Sequence, residues 1–361
     1  MKKHINKLIL ITLIIIMGVG QACEQGFEPE KKNIQFGFYF LKDTTKTIED
    51  IFDEDIKTLE LKDEPWISEK DIEFYDWSSH CIYLKKDKSY FFPGFESFTS
   101  DFLYKLSWVD RPLIVVANGK KCYASYFFGG LYSIDYWPYP DIFDFDIIHY
   151  PRDVIYAEWP YPFAKDLRSN EDVKNVLNIQ GLLHEGLHIT IDSLWIDNAD
   201  TVTIRYKITV KNNDTDNLYI LDPDKMGSDL FHYFNNGPIF YNSTNNIVYR
   251  SNYKKVTSPP LGTYEADWFT KIEDGKSITR IIILKGYPKL LEGNYYCSFD
   301  YNNPYYISKD KRVLADGRYW IGPTSSELVS FNRSDSCKAN FQKIQHIKIK
   351  QIDFFDTAVR K

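Results

Sequence analysis

At residues 181–196 the chain reads GLLHEGLHITIDSLWI. From His188 to Leu194 apolar and polar residues alternate with a period of two, which indicates a strand with one buried face. Just before this stretch, Asn170 and the acidic residues that follow it form a helix start signal, and Gly181 forms a stop signal. We therefore expect a linker helix over 166–181, after which Gly186 turns the chain into the first strand of a second domain.

The same stretch contains HEGLH at residues 184–188, which resembles the H-E-x-x-H motif of zinc peptidases. In those enzymes both histidines lie on one helical face and bind zinc, and the glutamate polarises a water. Here Gly186 costs a helix about 1 kcal/mol, and Leu194 stands where related families place a third ligand. We expect no catalytic residue, metal or cofactor. The alternative is a zinc-dependent hydrolase with His184 and His188 as ligands and Glu185 as the catalytic residue.

Residues 182–361 are predicted to form an all-β domain. Residues 201–210, TVTIRYKITV, alternate cleanly, which is typical of an antiparallel sandwich. Further strands are predicted at residues 188–196, 217–221, 231–240, 277–285, 294–301, 318–321, 327–331 and 344–353. The runs LLEGNYYCSFDY and GRYWIGPTSSELVSF resemble the closing strands of bacterial immunoglobulin-like domains. This resemblance implies an immunoglobulin-like β-sandwich and no particular activity.

Residues 33–165 are predicted to form an α+β domain. We expect a strand at residues 34–41, a helix over 47–59, and a short helix capped by Ser68. We also expect a strand at 81–84 and a hairpin over 113–123 that turns at Asn118-Gly119. The order PWISEKDI, strand, RPLIVVANGKKCYASYF resembles the periplasmic head of SecD-type export factors over residues 36–130. That resemblance implies a compact α+β fold but no role in translocation.

The N-terminal domain is expected to end in a segment rich in aromatic residues and proline, within residues 132–163. Proline excludes a regular helix or a central strand there. Trp137, Tyr139, Trp159 and Tyr161 could stack on a glycan or a peptide; alternatively, such rings pack into a core.

The beginning of the chain predicts export. Three lysines precede the apolar run LILITLIIIM at residues 8–17, which is shorter than the roughly 20 residues of a membrane span. Ala22-Cys23 resembles the end of a bacterial lipobox, although Gly20 replaces its usual aliphatic residue. We expect a signal peptide at 1–22, lipidation at Cys23 and a tether over 23–32. The protein would then be anchored in the bilayer of the cell envelope, with the outer membrane favoured; without lipidation it would be secreted.

The remaining four cysteines suit an oxidising compartment. Three pairings are possible, and we favour Cys81–Cys122 and Cys297–Cys337 because each lies within one predicted domain.

The whole chain has 44 basic and 50 acidic residues, so a nucleic-acid partner is not expected. Function is therefore predicted to be non-enzymatic binding of a glycan, peptide or protein in the envelope.

Overall fold

Strands dominate the computed structural model, which describes residues 36–92, 111–128, 141–143, 150–159, 166–197, 202–252, 263–333 and 342–343. The strands in chain order are β1 (Phe36–Phe40), β2 (Ile67–Ser68), β3 (Ile72–Asp76), β4 (Cys81–Leu84), β5 (Pro112–Ala117), β6 (Lys120–Phe128), β7 (Asp141–Phe143), β8 (Val154–Tyr156), β9 (Leu183–His184), β10 (Leu187–Asp197), β11 (Val202–Asn212), β12 (Leu218–Leu221), β13 (Ile239–Asn242), β14 (Ile247–Tyr249), β15 (Phe269–Ile272), β16 (Ser277–Tyr287), β17 (Gly293–Ser298), β18 (Asp300–Asn303), β19 (Val313–Leu314), β20 (Gly317–Tyr319), β21 (Gly322–Ser325), β22 (Val329–Arg333) and β23 (Gln342–Lys343). The helices are α1 (Glu171–Ile179), α2 (Pro223–Met226), α3 (Ser228–Phe234) and α4 (Lys309–Arg312), with single 3₁₀ turns at Lys88–Tyr90 and Ala266–Trp268.

The strands form five sheets of three to five strands and one two-stranded pair, β18-β21. The five larger sheets have the strand orders β2-β1-β5-β6-β7 (sheet 1), β8-β4-β3-β9 (sheet 2), β10-β11-β16 (sheet 3), β15-β12-β20-β19 (sheet 4) and β14-β13-β17-β22-β23 (sheet 5). These sheets are arranged as a five-bladed β-propeller, with 46 % strand and 13 % helix. The predicted fold, an α+β domain followed by an immunoglobulin-like sandwich, is therefore wrong.

Pairing between distant segments explains this error. Strand β9, which begins the predicted second domain, pairs in parallel with β3, and Tyr75 lies opposite Leu183. Strand β12 pairs in parallel with β20, about a hundred residues later in the chain. Residues Gln35–Lys361 accordingly form one compact unit. Alternation within a strand identifies its buried face but does not identify its partner.

The two helices predicted early in the chain are also wrong. Residues 47–59 form a series of turns, in which Ile48, Ile51 and Leu59 are nevertheless buried. Polar side chains take backbone N–H groups there: Asp50 accepts from the N–H of Thr47, and Asp55 accepts from that of Lys57. The bond to Asp50 is of the kind that begins a helix, whereas the bond to Asp55 forms a turn in the middle of the segment, which competes with a continuous helix. The segment with Ser68 forms β2 and β3 instead of a capped helix.

Two predictions that rest on turn and capping residues are confirmed. The hairpin β5–β6 turns at Asn118 and Gly119, which have φ angles of 51° and 72°, as a type I′ turn requires. Helix α1 is capped by the Asn170 side chain, which accepts from the N–H groups of Asp172 and Val173. In the predicted strand at 231–240, however, the first residues belong to α3 and only the last belong to β13.

Sheet 3 has one face in the core and one face in solvent. Its buried residues, among them Ile189, Tyr206 and Leu284, belong to the large apolar cluster that also includes side chains from sheets 4 and 5. The opposite face of the sheet carries mainly polar residues at the alternate positions, together with Trp195, Ile281 and Ile283. No helix in the described part of the chain is long and apolar enough to cross a membrane.

Candidate functional site

The HEGLH stretch spans the end of one strand, a turn and the start of the next strand, and the strand predicted from the alternation after His188 is present. His184 ends β9 and His188 lies in β10, and between them Gly186 has a φ of 68°. A methyl group on Gly186 would collide with the side chain of Ser78. Glycine is therefore required there both for the left-handed backbone and for the close approach.

The three polar side chains of HEGLH have separate partners. His184 Nδ1 lies 2.8 Å from Oδ1 of Asp214, and Nε2 of His188 lies 3.4 Å from Oε1 of Glu327. Oε2 of Glu185 lies 3.0 Å from Nζ of Lys174. This arrangement differs from the peptidase geometry, in which both imidazoles of one helix turn meet a single metal ion.

His184 belongs to a buried ionic group that we call the Arg318 cluster: Arg318, Asp76, Asp214, Asp216 and His184. The Nη2 atom of Arg318 lies 3.0 Å from Oδ2 of Asp76 and 2.7 Å from Oδ2 of Asp214. Its Nε atom lies 3.4 Å from Oδ2 of Asp216. The side chains of Asp76 and Asp214 are completely buried, and that of Arg318 is 5 % exposed. The cluster thus joins β3, the loop after β11, and β20.

Aromatic rings enclose the guanidinium of Arg318. Its Cζ atom lies 4.9 Å from the ring centre of Phe74 and 5.7 Å from that of Tyr83. A guanidinium over aromatic faces is attracted by the partial negative charge on the faces of these neutral rings. Arg318 is therefore fixed from two sides, by carboxylates and by rings.

The electrostatics of the cluster favour its charged form. Burial alone would raise the pKa of Asp214, but the hydrogen bond with His184 and the charge of Arg318 outweigh burial and lower it. Burial alone would lower the pKa of Arg318, but the charges of the Asp76 and Asp214 carboxylates outweigh burial and raise it. The buried ion pair therefore persists at neutral pH.

Part of the cluster has the donor atoms of a metal site. One ligand atom each from His184, Asp214 and Asp216 lies within 4.8 Å of the others, and imidazole and carboxylate together suit zinc. Arg318 binds two of these three residues, Asp214 and Asp216, so a metal ion would compete with a buried guanidinium. These donor atoms suit a cation, but the positive charge of Arg318 beside them disfavours the binding of one. Asp214 and Asp216 lie in a polar turn after β11, and no motif in the sequence marks them as partners of His184.

A second buried polar chain connects Tyr75, His80, Asp166 and Arg168. The hydroxyl of Tyr75 lies 2.9 Å from Nδ1 of His80, whose Nε2 lies 3.7 Å from Asp166. Arg168 in turn binds Asp166 at 2.7 Å. Burial, together with the charge of Arg168, lowers the pKa of His80 to about 3. His80 is therefore neutral at physiological pH, and its position offered no sequence signal.

The predicted aromatic surface lies largely outside the described residues. Trp137, Tyr139 and Tyr161 fall there, whereas Trp159 is half-buried. A glycan or peptide site on these rings therefore stays a prediction.

The predicted lipidation site Cys23 and Cys337 also lie outside the described residues, so lipidation and the Cys297–Cys337 pairing stay predictions. No bond joins Cys81 to Cys122 in the structure: Cys81 lies in β4 of sheet 2 and Cys122 in β6 of sheet 1. Burial raises the pKa of Cys122 to about 11, which keeps this thiol protonated.

Comparison of the chain with protein-family models, with curated protein sequences and with solved structures finds no match.

Proposed function

We propose that this protein is a non-enzymatic lipoprotein of the cell envelope, anchored in the bilayer through acyl groups on Cys23 and acting by binding a partner. The signal-like segment before Cys23 supports the anchor. Because one acyl chain gives only marginal membrane binding, stable anchoring requires more than one chain on the N-terminal cysteine.

The observation that carries the non-enzymatic part of the proposal is the separation of the HEGLH side chains. Each of His184, Glu185 and His188 is held by a different residue, and His184 is tied to a carboxylate that also binds Arg318. A zinc hydrolase needs an open coordination position and a free carboxylate beside it. The most evident catalytic motif in the sequence is thereby accounted for by structural contacts.

The anchor is tested by growing cells that express the full chain with an alkyne analogue of palmitate. Label on the wild-type protein should disappear in Cys23→Ser and persist in Cys122→Ser, which removes a thiol of the folded part. Label retained in Cys23→Ser, or a wild-type protein released without label, would contradict the proposal.

A second candidate function, zinc-dependent hydrolysis, is favoured by the convergence of His184, Asp214 and Asp216. In this version of the hypothesis the metal ligands differ from those of the motif, because His188 lies against Glu327 instead. Substitution of Asp216, whose side chain is 46 % exposed, would then abolish metal binding, while substitution of His188 would not.

A further inference from the structure

The solvent side of sheet 3, which we call the outer face, is a flat surface of three long strands. Cross-strand neighbours form four rows across β10, β11 and β16: Trp195–Arg205–Ile283, Ser193–Lys207–Ile281, Thr190–Thr209–Thr279 and His188–Lys211–Ser277. A bulge in β10 adds Asp192 beside the third row.

Positive charge is concentrated on this face. Arg205, Lys207 and Lys211 follow one another at alternate or near-alternate positions of the central strand, and Lys285 lies exposed on β16. Three carboxylates stand against these four cations: Asp192 and Asp197 on β10, and Glu327 beside His188. Asp192 lies 3.8 Å from Nζ of Lys207, whereas Arg205, Lys211 and Lys285 extend the positive charge along the face. The whole chain carries a net charge of −6. A basic face on an acidic protein attracts a negatively charged partner.

The first two rows add apolar and aromatic surface to this charge. The Cζ atom of Arg205 lies 5.1 Å from the ring centre of Trp195. Ile281 and Ile283 are 46 % and 48 % exposed. Tryptophan and arginine dominate the binding energy of many interfaces, and exposed isoleucines beside them increase the area that a partner can bury.

We propose that the outer face binds a carboxylated polysaccharide. In this arrangement Arg205 and Lys207 bind the carboxylates, Trp195 and the isoleucines contact sugar rings, and the threonine row supplies hydroxyl groups. The fork of a guanidinium binds carboxylates and tetrahedral anions alike; the flat face favours the carboxylate, because tetrahedral anions are often held in concave nests of backbone donors. The proposal rests on the proposed function in one respect, because export brings this face into contact with envelope polysaccharide.

A peptide fits this face less well. Peptides that bind sheets commonly add a strand to an open edge, but part of the β16 edge is already used. The carbonyl of Ile283 faces Nε2 of His232 at 3.2 Å, and the carbonyl of Lys285 accepts from the Ser251 hydroxyl. The threonine hydroxyls are also already engaged: Thr190 and Thr209 donate to Asp192, and the hydroxyls of Thr209 and Thr279 lie 2.9 Å apart. Their remaining lone pairs suit the many hydroxyl donors of a sugar chain.

The proposal is tested by calorimetric titration of the full-length protein, in a neutral detergent, with polygalacturonate. Dextran, dextran sulfate and polyglutamate serve as neutral, sulfated and peptide comparisons. The test variant is Arg205→Gln/Lys207→Gln. The matched control is Lys57→Gln/Lys289→Gln, which removes the same charge at two exposed lysines outside sheet 3.

We expect the wild-type protein to bind polygalacturonate, with Kd raised about tenfold or more in the Arg205/Lys207 variant and unchanged in the control. Trp195→Ala should also weaken binding, and Ile283→Glu, which adds a negative charge at an exposed position, should abolish it. Thermal melts verify that each variant is folded. Absence of binding to polygalacturonate, equal losses in test and control variants, or stronger binding of dextran sulfate or polyglutamate would overturn the proposal. Because titration does not depend on acylation, it can fail while the Cys23 labelling succeeds, and the reverse.

Discussion

The Arg318 cluster and the outer face of sheet 3 both contain charged residues from β11 and its surroundings, but they differ in how far these residues are exposed to solvent. In the cluster, Arg318 and two carboxylates are removed from solvent, and Nη2 of Arg318 binds both carboxylates. On the outer face, Arg205 and Lys211 point into water. The two histidines of HEGLH divide between the regions, with His184 in the cluster and His188 on the face.

The difference shows that burial determines what a charged residue can do. A buried charge is costly unless it is paired, so removing one partner leaves the other uncompensated. An exposed charge contributes little to stability and remains available to a ligand. We therefore expect the cluster to govern folding and the face to govern recognition.

The largest effect should come from removing one arginine in each region. Arg318→Met leaves the buried carboxylates of Asp76 and Asp214 without a cationic partner, and should lower the free energy of unfolding by about 3–5 kcal/mol. The matched substitution Arg205→Met on the outer face should change it by less than about 0.5 kcal/mol. Urea denaturation of both variants measures the difference. Equal losses of unfolding free energy in the two variants would show that burial does not determine what the arginine contributes to stability.

A buried histidine extends the comparison to pH. The pKa of His80, about 3, lies below its ordinary value of 6.5, and Tyr75, Asp166 and Arg168 are the polar groups around it. Below pH 6.5 the unfolded chain binds a proton at this position that the folded chain does not bind. This difference lowers stability progressively as pH falls from 6.5 towards 3.

The expected slope from His80 approaches ~1.4 kcal/mol per pH unit, or about 2 kcal/mol between pH 6.5 and 5. His80→Asn should remove this part of the pH dependence, since asparagine tolerates the positive φ of 52° at this position. Denaturation curves at several pH values provide the measurement. An unchanged slope in the variant would show that His80 already binds a proton in the folded state.

A smaller difference in stability is expected between substitutions of two glycines, Gly181 before HEGLH and Gly186 within it. Gly181 and Gly186 have nearly equal φ angles, 66° and 68°, but only at Gly186 would a methyl group meet neighbouring atoms. Gly181→Ala should cost about 1 kcal/mol for the backbone alone. Gly186→Ala should cost roughly 1 kcal/mol more because it also displaces Ser78, next to the cluster. Equal melting temperatures for the two variants would mean that the loop adjusts freely.

The sequence predicts those parts of the fold that are decided within about ten residues. Residues 188–196 alternate because one face of β10 is buried, and Asn118-Gly119 tolerates the backbone of a tight turn, so both features could be read locally. The helix expected over 47–59 is interrupted at Asp55, whose side chain accepts from the nearby backbone N–H of Lys57 instead. That competition depends on side-chain geometry and is not visible in apolar spacing.

The partners of each strand and of each charge could not be predicted. Arg318 and Asp76 are 242 positions apart, and nothing in either neighbourhood specifies the other. The HEGLH motif identifies His184 as a candidate, but the contact of His184 with Asp214 depends on how the turn after β11 folds back. The propeller fold and the ionic cluster are both products of such distant pairing.

Whether the HEGLH histidines have structural partners only is tested by the metal content of the purified full-length protein, determined by plasma emission spectroscopy after gel filtration. We predict well under one zinc per chain, and the same value in His184→Ala, His188→Ala and Asp216→Asn. One zinc per chain that is lost in both histidine variants would contradict this prediction and restore the HEGLH hydrolase. Zinc that is lost in His184→Ala and Asp216→Asn but retained in His188→Ala would also contradict it, and would place the metal in the Arg318 cluster.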